Sequence, residues 1–135
     1  MNYWLLKSEP STWSWQNQIK SKVEMWDGVR NYQARNNLMK MKLGDKCFFY
    51  HSVSEKSIVG IVEVVKEHYP DPTDIKGKFV VVDVMAIETL TKPVSLEIIK
   101  KNKVLKNIPL LKQSRLSVMP ILYIEYKEII KLSKK

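Results

Sequence analysis

The sequence predicts an α+β domain with a β-barrel centre, and three observations lead to that class. The segments "KCFFYHS" (Lys46–Ser52), "SIVGIVEVVKE" (Ser57–Glu67) and "KFVVVDVMAIE" (Lys78–Glu88) are rich in β-branched and aromatic residues. The latter two are apolar on both pleat faces over much of their length, as strands are in a closed or strongly curved sheet covered by helices. Helical patterns precede and follow this block rather than alternating with its strands, unlike the βαβ order of a dinucleotide fold.

The elements follow in order. "NYWLLK" (Asn2–Lys7) reads as an opening strand, which Pro10 ends. Ser11 is placed to cap a short helix running to about Ile19, with Trp13 and Trp15 near its start. Asn31 is a good N-cap for a second helix, along which Ala34, Leu38 and Met41 fall at i, i+4 and i+7 as a buried stripe. Gly44-Asp45 turns the chain into the first long strand, and Gly60 marks a bend or bulge in the second. After Pro93, Ser95 can cap a short helix. "VLKNIPLL" is poorly periodic and reads as coil or a short helix, and "SRLSVMP" reads as a last strand. Pro120 suits the first turn of a final helix on which Leu122, Tyr126, Ile129 and Ile130 share an apolar face. No repeat or linker interrupts the 135 residues, a length suited to one domain with a proper core.

Composition narrows the function. A hydrophobic content of 44% and only four glycines argue for a globular fold rather than disorder. No apolar run approaches the roughly 18 residues of a membrane span, and the apolar stretch in "MNYWLLKSEP" is too short for a signal peptide. The single cysteine, Cys47, excludes an internal disulfide and a cysteine-rich zinc site, which fits a reducing compartment. The two histidines lie far apart, so no metal is expected. Glycines at 28, 44, 60 and 77 cannot form GxGxxG or a P-loop, and GxSxG is absent, so no nucleotide cofactor is expected. The expected location is cytoplasmic, or nuclear in a eukaryote. A net charge of +9 points to a polyanion partner, because cations that neutralise phosphates release counterions. Lysine nevertheless outnumbers arginine twenty to three. Many of those lysines (Lys100, Lys101, Lys103, Lys106, Lys112, Lys131, Lys134, Lys135) lie toward the C-terminus, where a solvated face explains them better.

The polar constellations are more informative. "WDGVRNYQARNNL" (Trp26–Leu38) holds two of the three arginines, a tryptophan, a glycine and three asparagines. Trp26 sits in a non-periodic segment, where an indole either stacks on a base or packs in the core; Trp4, mid-strand, reads as core. Arg30 and Arg35 offer planar forks for a carboxylate, a phosphate or a carbonyl cluster, or tie loops together, the better reading for one of the two. Asn31, Asn36 and Asn37 carry both donor and acceptor, suited to a base edge, although Asn31 also fits the cap. Lys7, Ser8 and Glu9 bring an amine, a hydroxyl and a carboxylate to a strand end. Alternation puts Lys7 and Glu9 on one face and Ser8 on the other, and a solvated Lys–Glu pair is the plain alternative. His51, at another strand end, either donates to a ligand or is satisfied structurally. All these groups lie at strand ends or caps around one β-unit, which favours a pocket.

Taken together, "YWLLKSEP", "WDGVRNYQARNNL", "GDKCFFYHS", "YPD", "KPV" and "RLSVMP" resemble the EVE domain family, in order and over essentially the whole chain. The resemblance implies a single EVE domain over residues 1–135 with a PUA-like fold, a curled mixed β-barrel of about five to six strands flanked by helices, similar to YTH and ASCH domains. It further implies a non-enzymatic nucleic-acid-binding domain whose pocket recognises a modified, methylated nucleobase (cytosine or adenine) in DNA or RNA; a monomer is expected. Carried over residue by residue, the pocket draws on Lys7, Ser8 and Glu9, on Trp26, Val29, Arg30, Asn31 and Tyr32, and on His51 and Ser52. Where the family has a longer insertion after Tyr-Pro-Asp and a tryptophan before Val-Asp-Val, this chain has the short "PTDIKGK" and Phe79, a departure that bears on ligand choice. Two alternatives stand beside this reading. One is a small ASCH-like hydrolase acting on modified nucleosides through Lys7, Ser8 or Glu9. The other is an interaction module for which basic charge suffices.

Overall fold

The structure, a computed structural model, describes residues 1–134. In chain order the elements are β1 (Tyr3–Ser8), α1 (Trp15–Ser21), β2 (Val23–Met25), α2 (Tyr32–Lys40), β3 (Lys46–His51) and β4 (Ser57–Pro70). There follow β5 (Val80–Ser95), α3 (Leu96–Lys101), α4 (Pro109–Lys112), β6 (Val118–Ile121) and α5 (Tyr123–Leu132). The strands form one six-stranded mixed sheet in the order β2-β5-β4-β3-β1-β6. β1 and β3 run parallel, and the remaining neighbours are antiparallel.

The expected PUA-like α+β architecture is present, with one correction: the sheet keeps two free edges, β2 and β6, and does not close into a barrel. Its curl has a local cause. The β4–β5 ladder shifts register four times, and each irregularity adds twist and bends the strand. β1 and β3 sit inside the sheet and are buried on both pleat faces, so Leu5, Leu6, Phe48 and Phe49 are fully enclosed.

Gly60 shows how one residue shapes this core. It lies at a register shift, as its position inside an apolar strand suggested. A Cβ there would fall inside the indole of Trp15, so the missing side chain is what lets α1 dock on the sheet. Trp15 is thereby buried, with its indole N–H donating to Thr89 Oγ1 at 2.9 Å and its ring edge-on to Phe49.

Several boundaries differ from expectation. Helix α1 starts at Trp15 and is capped by Ser14, not Ser11. Ser14 Oγ accepts from the Asn17 amide and Asn17 Oδ1 accepts from the Ser14 amide, a reciprocal cap that Ser11 has no partner to make. The chain ahead of it is a turn in which the Thr12 and Trp13 amides both donate to the Glu9 carbonyl. Pro120 lies inside β6 opposite Trp4 rather than in a helix, because an edge strand tolerates a residue with no N–H. α5 therefore begins later, and Leu122 is exposed instead of facing the core with Tyr126, Ile129 and Ile130. β2 was not anticipated, since three residues are too few to show a period. Asn31 does cap α2, its Oδ1 accepting from the Ala34 amide at 2.9 Å, and Ala34, Leu38 and Met41 are buried. Ser95 likewise caps α3.

Candidate functional site

The loop between β2 and α2 forms one wall of a cavity. The Trp26 amide donates to the Val82 carbonyl at 2.8 Å, which continues the β2–β5 pairing by one residue. The chain then leaves the sheet through Gly28, whose φ of 79° lies in the left-handed region that glycine adopts without a Cβ penalty. Asp71 holds this loop in place. Its Oδ2 accepts from the Gly28 amide and from Arg30 Nη1, both at 3.0 Å. Its Oδ1 accepts from the amide and hydroxyl of Thr73. Burial alone would push this carboxyl up; the hydrogen bonds from Thr73, Gly28 and Arg30 outweigh it and bring its pKa down to about 2. Arg30 also donates from Nη1 to the Val29 carbonyl and from Nη2 to Thr73 Oγ1, and it lies over the ring of Phe79.

The opposite wall comes from the end of β1. The Lys7 amide donates to the Ser117 carbonyl, and Lys7 Nζ reaches the Ser114 carbonyl at 2.8 Å. Burial lowers the pKa of this amine. The Ser8 hydroxyl donates a close hydrogen bond to the Trp13 carbonyl, and the Trp13 indole N–H donates to Gln18 Oε1. A cavity of about 670 Å³ opens between the walls. Trp26 belongs to the core and to the cavity at once: it is 7% exposed and edge-on to Phe49 at 5.5 Å, yet it lines the opening.

Seven of the ten residues expected at the site line this cavity: Lys7, Ser8, Glu9, Trp26, Val29, Arg30 and Asn31. Tyr32, His51 and Ser52 do not, and each has a structural reason. Tyr32 opens α2 with its ring against Phe79 and the Arg35 guanidinium. His51 ends a strand covered on both faces and is buried under α1; its Nε2 accepts from the Trp15 amide and its Nδ1 bonds Glu55. Ser52 contributes only its amide here, donated to the Ser8 carbonyl, which extends the β1–β3 pairing and sets the position of Ser8. β1 ends at Ser8, and Lys7, Ser8 and Glu9 all border the cavity.

Residues that sequence reasoning did not select also line it, among them Thr12, Trp13, Glu24, Met25, Asp27 and Ser117. Asp27 was in view inside the Trp-Asp-Gly motif, whereas Glu24, Met25 and Ser117 reach the site only through strand pairing. The lining carries three carboxylates, Glu9, Glu24 and Asp27, beside two cations, Lys7 and Arg30. Glu9, Glu24 and Asp27 make no side-chain hydrogen bonds among the described residues, and the Arg30 charge is already met by Asp71. Both arginines of the motif tie loops, where one was expected to. Arg35 donates to the Lys78 carbonyl, so the short 72–78 segment is held at both ends. Asp74 folds that segment on itself by accepting from the amides of Lys76, Lys78 and Phe79.

Lys7 and Ser8 direct their polar hydrogens at backbone carbonyls, and no nucleophile–base pair is formed among Lys7, Ser8 and Glu9. Among the described residues no group of His, Cys, Asp or Glu is arranged to hold a metal, and no helix is long and apolar enough to cross a membrane.

Known proteins resemble this chain over its length. The EVE domain profile matches residues 2–132. Mouse thymocyte nuclear protein 1 is 34% identical over 172 aligned positions, covering 98% of this chain and 74% of that protein. Since 172 positions exceed the 135 residues here, the mouse protein carries insertions that this chain lacks. Rpa0253 from Rhodopseudomonas palustris, solved by NMR, is 46% identical with a TM-score of 0.94, covering 99% of this chain and 94% of that one. The human THYN1 protein, crystallised in complex with 5-methylcytosine-containing DNA, is 34% identical with a TM-score of 0.90, covering 100% and 99%. An ASCH protein from Zymomonas mobilis shares the fold alone, at 11% identity and a TM-score of 0.62. With the profile match, the aligned relatives and the superposed structures all spanning nearly its full length, this chain belongs to the EVE domain family.

Proposed function

We propose that this domain binds a modified nucleobase, with 5-methylcytosine the leading candidate, in DNA or RNA and without reacting with it. The observation that carries this reading is the cavity itself, where Trp13, Met25 and Trp26 stand beside three carboxylates that lack partners. Indoles and a thioether suit the ring face and its methyl group. Aspartate and glutamate accept from the exocyclic amine of cytosine, which neither a thymine nor a uracil carries. The volume of about 670 Å³ falls within the roughly 300–1,000 Å³ of small-molecule sites. A base in a duplex reaches such a cavity only by leaving the stack, which adds a cost that a cavity fitting the modification offsets. The complex of the human relative with 5-methylcytosine-containing DNA supports the same reading. Hydrolysis has no comparable support, because the hydroxyl and amine it would need are held by backbone carbonyls.

The test is fluorescence anisotropy with short labelled oligonucleotides, DNA and RNA, bearing one modified cytosine or adenine, each beside its unmodified twin. Tighter binding of a modified probe is expected. Glu9→Ala, at an exposed position, should bring that affinity down about ten- to a hundredfold, toward the unmodified level. Equal affinity of the unaltered protein for every modified probe and its twin would sink the reading.

A further inference from the structure

A second depression, of about 350 Å³, opens beside the cavity and shares Asn31 with it. Asn31 and Gln33 form one side; Lys112, Gln113, Ser114 and Arg115 form the other. The Ser114 carbonyl that borders it also holds Lys7 Nζ, and Lys7 lines the first cavity, so the two sites meet across one hydrogen bond. Their chemistry differs. The cavity has three carboxylates with no hydrogen-bonding partner beside two cations already held, Lys7 by the Ser114 carbonyl and Arg30 by Asp71; the groove has two cations that nothing among the described residues holds, uncharged donors and no carboxylate.

Arg115 sharpens the contrast. Of the three arginines in the chain, Arg30 is bound to Asp71 and Arg35 to Asn36 and the Lys78 carbonyl. Arg115 is exposed and has neither a salt bridge nor a hydrogen bond among the described residues. Lys112, also exposed, has none either. Exposed lysines already supply solvated charge in this protein. A planar fork left open at the rim of a groove matches the two oxygens of a phosphodiester.

Resting on the base-binding reading above, we propose that this groove carries the phosphates flanking the captured base, with Arg115 and Lys112 as their contacts. A base seated among Glu9, Glu24 and Asp27 brings its own phosphates toward three unpaired carboxylates, while the Lys7 and Arg30 cations there are already engaged. The strand therefore leaves through the neighbouring surface that has cations and no carboxylate. The base site sets selectivity, and the groove sets salt-dependent affinity for any sequence.

The test uses the full chain, a labelled duplex with one 5-methylcytosine, and its unmethylated twin, titrated over a range of KCl concentrations. Arg115→Ala should weaken binding of both probes by the same factor, about tenfold at low salt. It should also reduce the slope of log affinity against log salt by about 0.7–0.9, and Lys112→Ala should do likewise. Arg115→Lys should restore the slope but only part of the affinity, since the charge returns and the fork does not. Lys100→Ala, an equal charge change at an exposed position of α3 outside both sites, should leave the slope unaltered. Preference for the methylated probe with no change of slope in Arg115→Ala and Lys112→Ala would overturn the groove and leave the base site standing. An equal loss in Lys100→Ala would also overturn it, by showing that net charge alone acts. Loss of slope without any preference for a modified base would overturn the base site and keep the groove. Absence of binding to either probe would overturn both.

Discussion

The cavity beside Trp26 and the groove beside Arg115 share Asn31 and differ in nearly everything else. One is walled by indoles and lined by carboxylates in a protein whose net charge is +9. The other has no carboxylate and presents two cations that nothing in the described structure neutralises. The difference teaches that net charge locates a partner only coarsely. A base is uncharged and is read by hydrogen bonds and stacking, for which carboxylates serve as well as any acceptor; its phosphates need cations. A domain that handles both must keep the two environments apart, and here a single hydrogen bond from Lys7 to Ser114 marks the border.

The largest effect on this contrast is expected from Asp71→Ala. It leaves the Gly28 amide, the Arg30 guanidinium and Thr73 without their common acceptor. Partial exposure of Arg30 moderates the cost, which should be about 2 kcal/mol in urea unfolding. Preference for the modified base should vanish as the 26–31 wall loosens, while salt-dependent binding through the groove persists. If preference survives the substitution, the Asp71 anchor does not shape the base site.

Acid should act through the same carboxylate. The folded-state pKa of Asp71, about 2, lies below the ordinary 3.8, so its stabilisation is complete above about pH 4 and is lost as pH falls toward 2. The unfolding midpoint should therefore drop across that interval, and Asp71→Asn should flatten the drop. An unchanged acid limb in Asp71→Asn would show that other carboxylates carry it.

Tyr32→Ala should have the smallest effect. It removes the contacts with Phe79 and Arg35, at a cost of about 1 kcal/mol, and should leave the preference for the modified base intact because the ring lies outside the cavity. Loss of that preference at unchanged stability would return Tyr32 to the binding site.

Local chemistry explains which features could be read in advance. Asn31 was identifiable as a cap because its side chain bonds an amide three residues away, and the stripe of Ala34, Leu38 and Met41 because helical period is a local property. Ser11 and Ser14 are equally good caps in isolation; the choice of Ser14 depended on reciprocity with Asn17 and on the Glu9 carbonyl taking the turn before it. Pro120 read as a helix start because its place at a sheet edge depends on β1, more than a hundred residues away in the chain. At the site, Lys7, Ser8, Glu9, Trp26, Val29, Arg30 and Asn31 could be named from their motifs. That His51 lies outside this cavity could not be read in advance, since its burial depends on α1 docking over Gly60.

By itself, then, the sequence determined the α+β class, the family, the capped helix α2 and the two motif segments that face each other across the cavity. These depend on residue type and short-range spacing, which the chain carries before it folds. Only the tertiary structure decided that Trp26 is both core and wall, that Asp71 anchors Arg30, and that the loop ahead of β6 places Arg115 beside the cavity. Burial, ion pairing and adjacency are relations between segments distant in sequence, and the curled sheet is what brings those segments together.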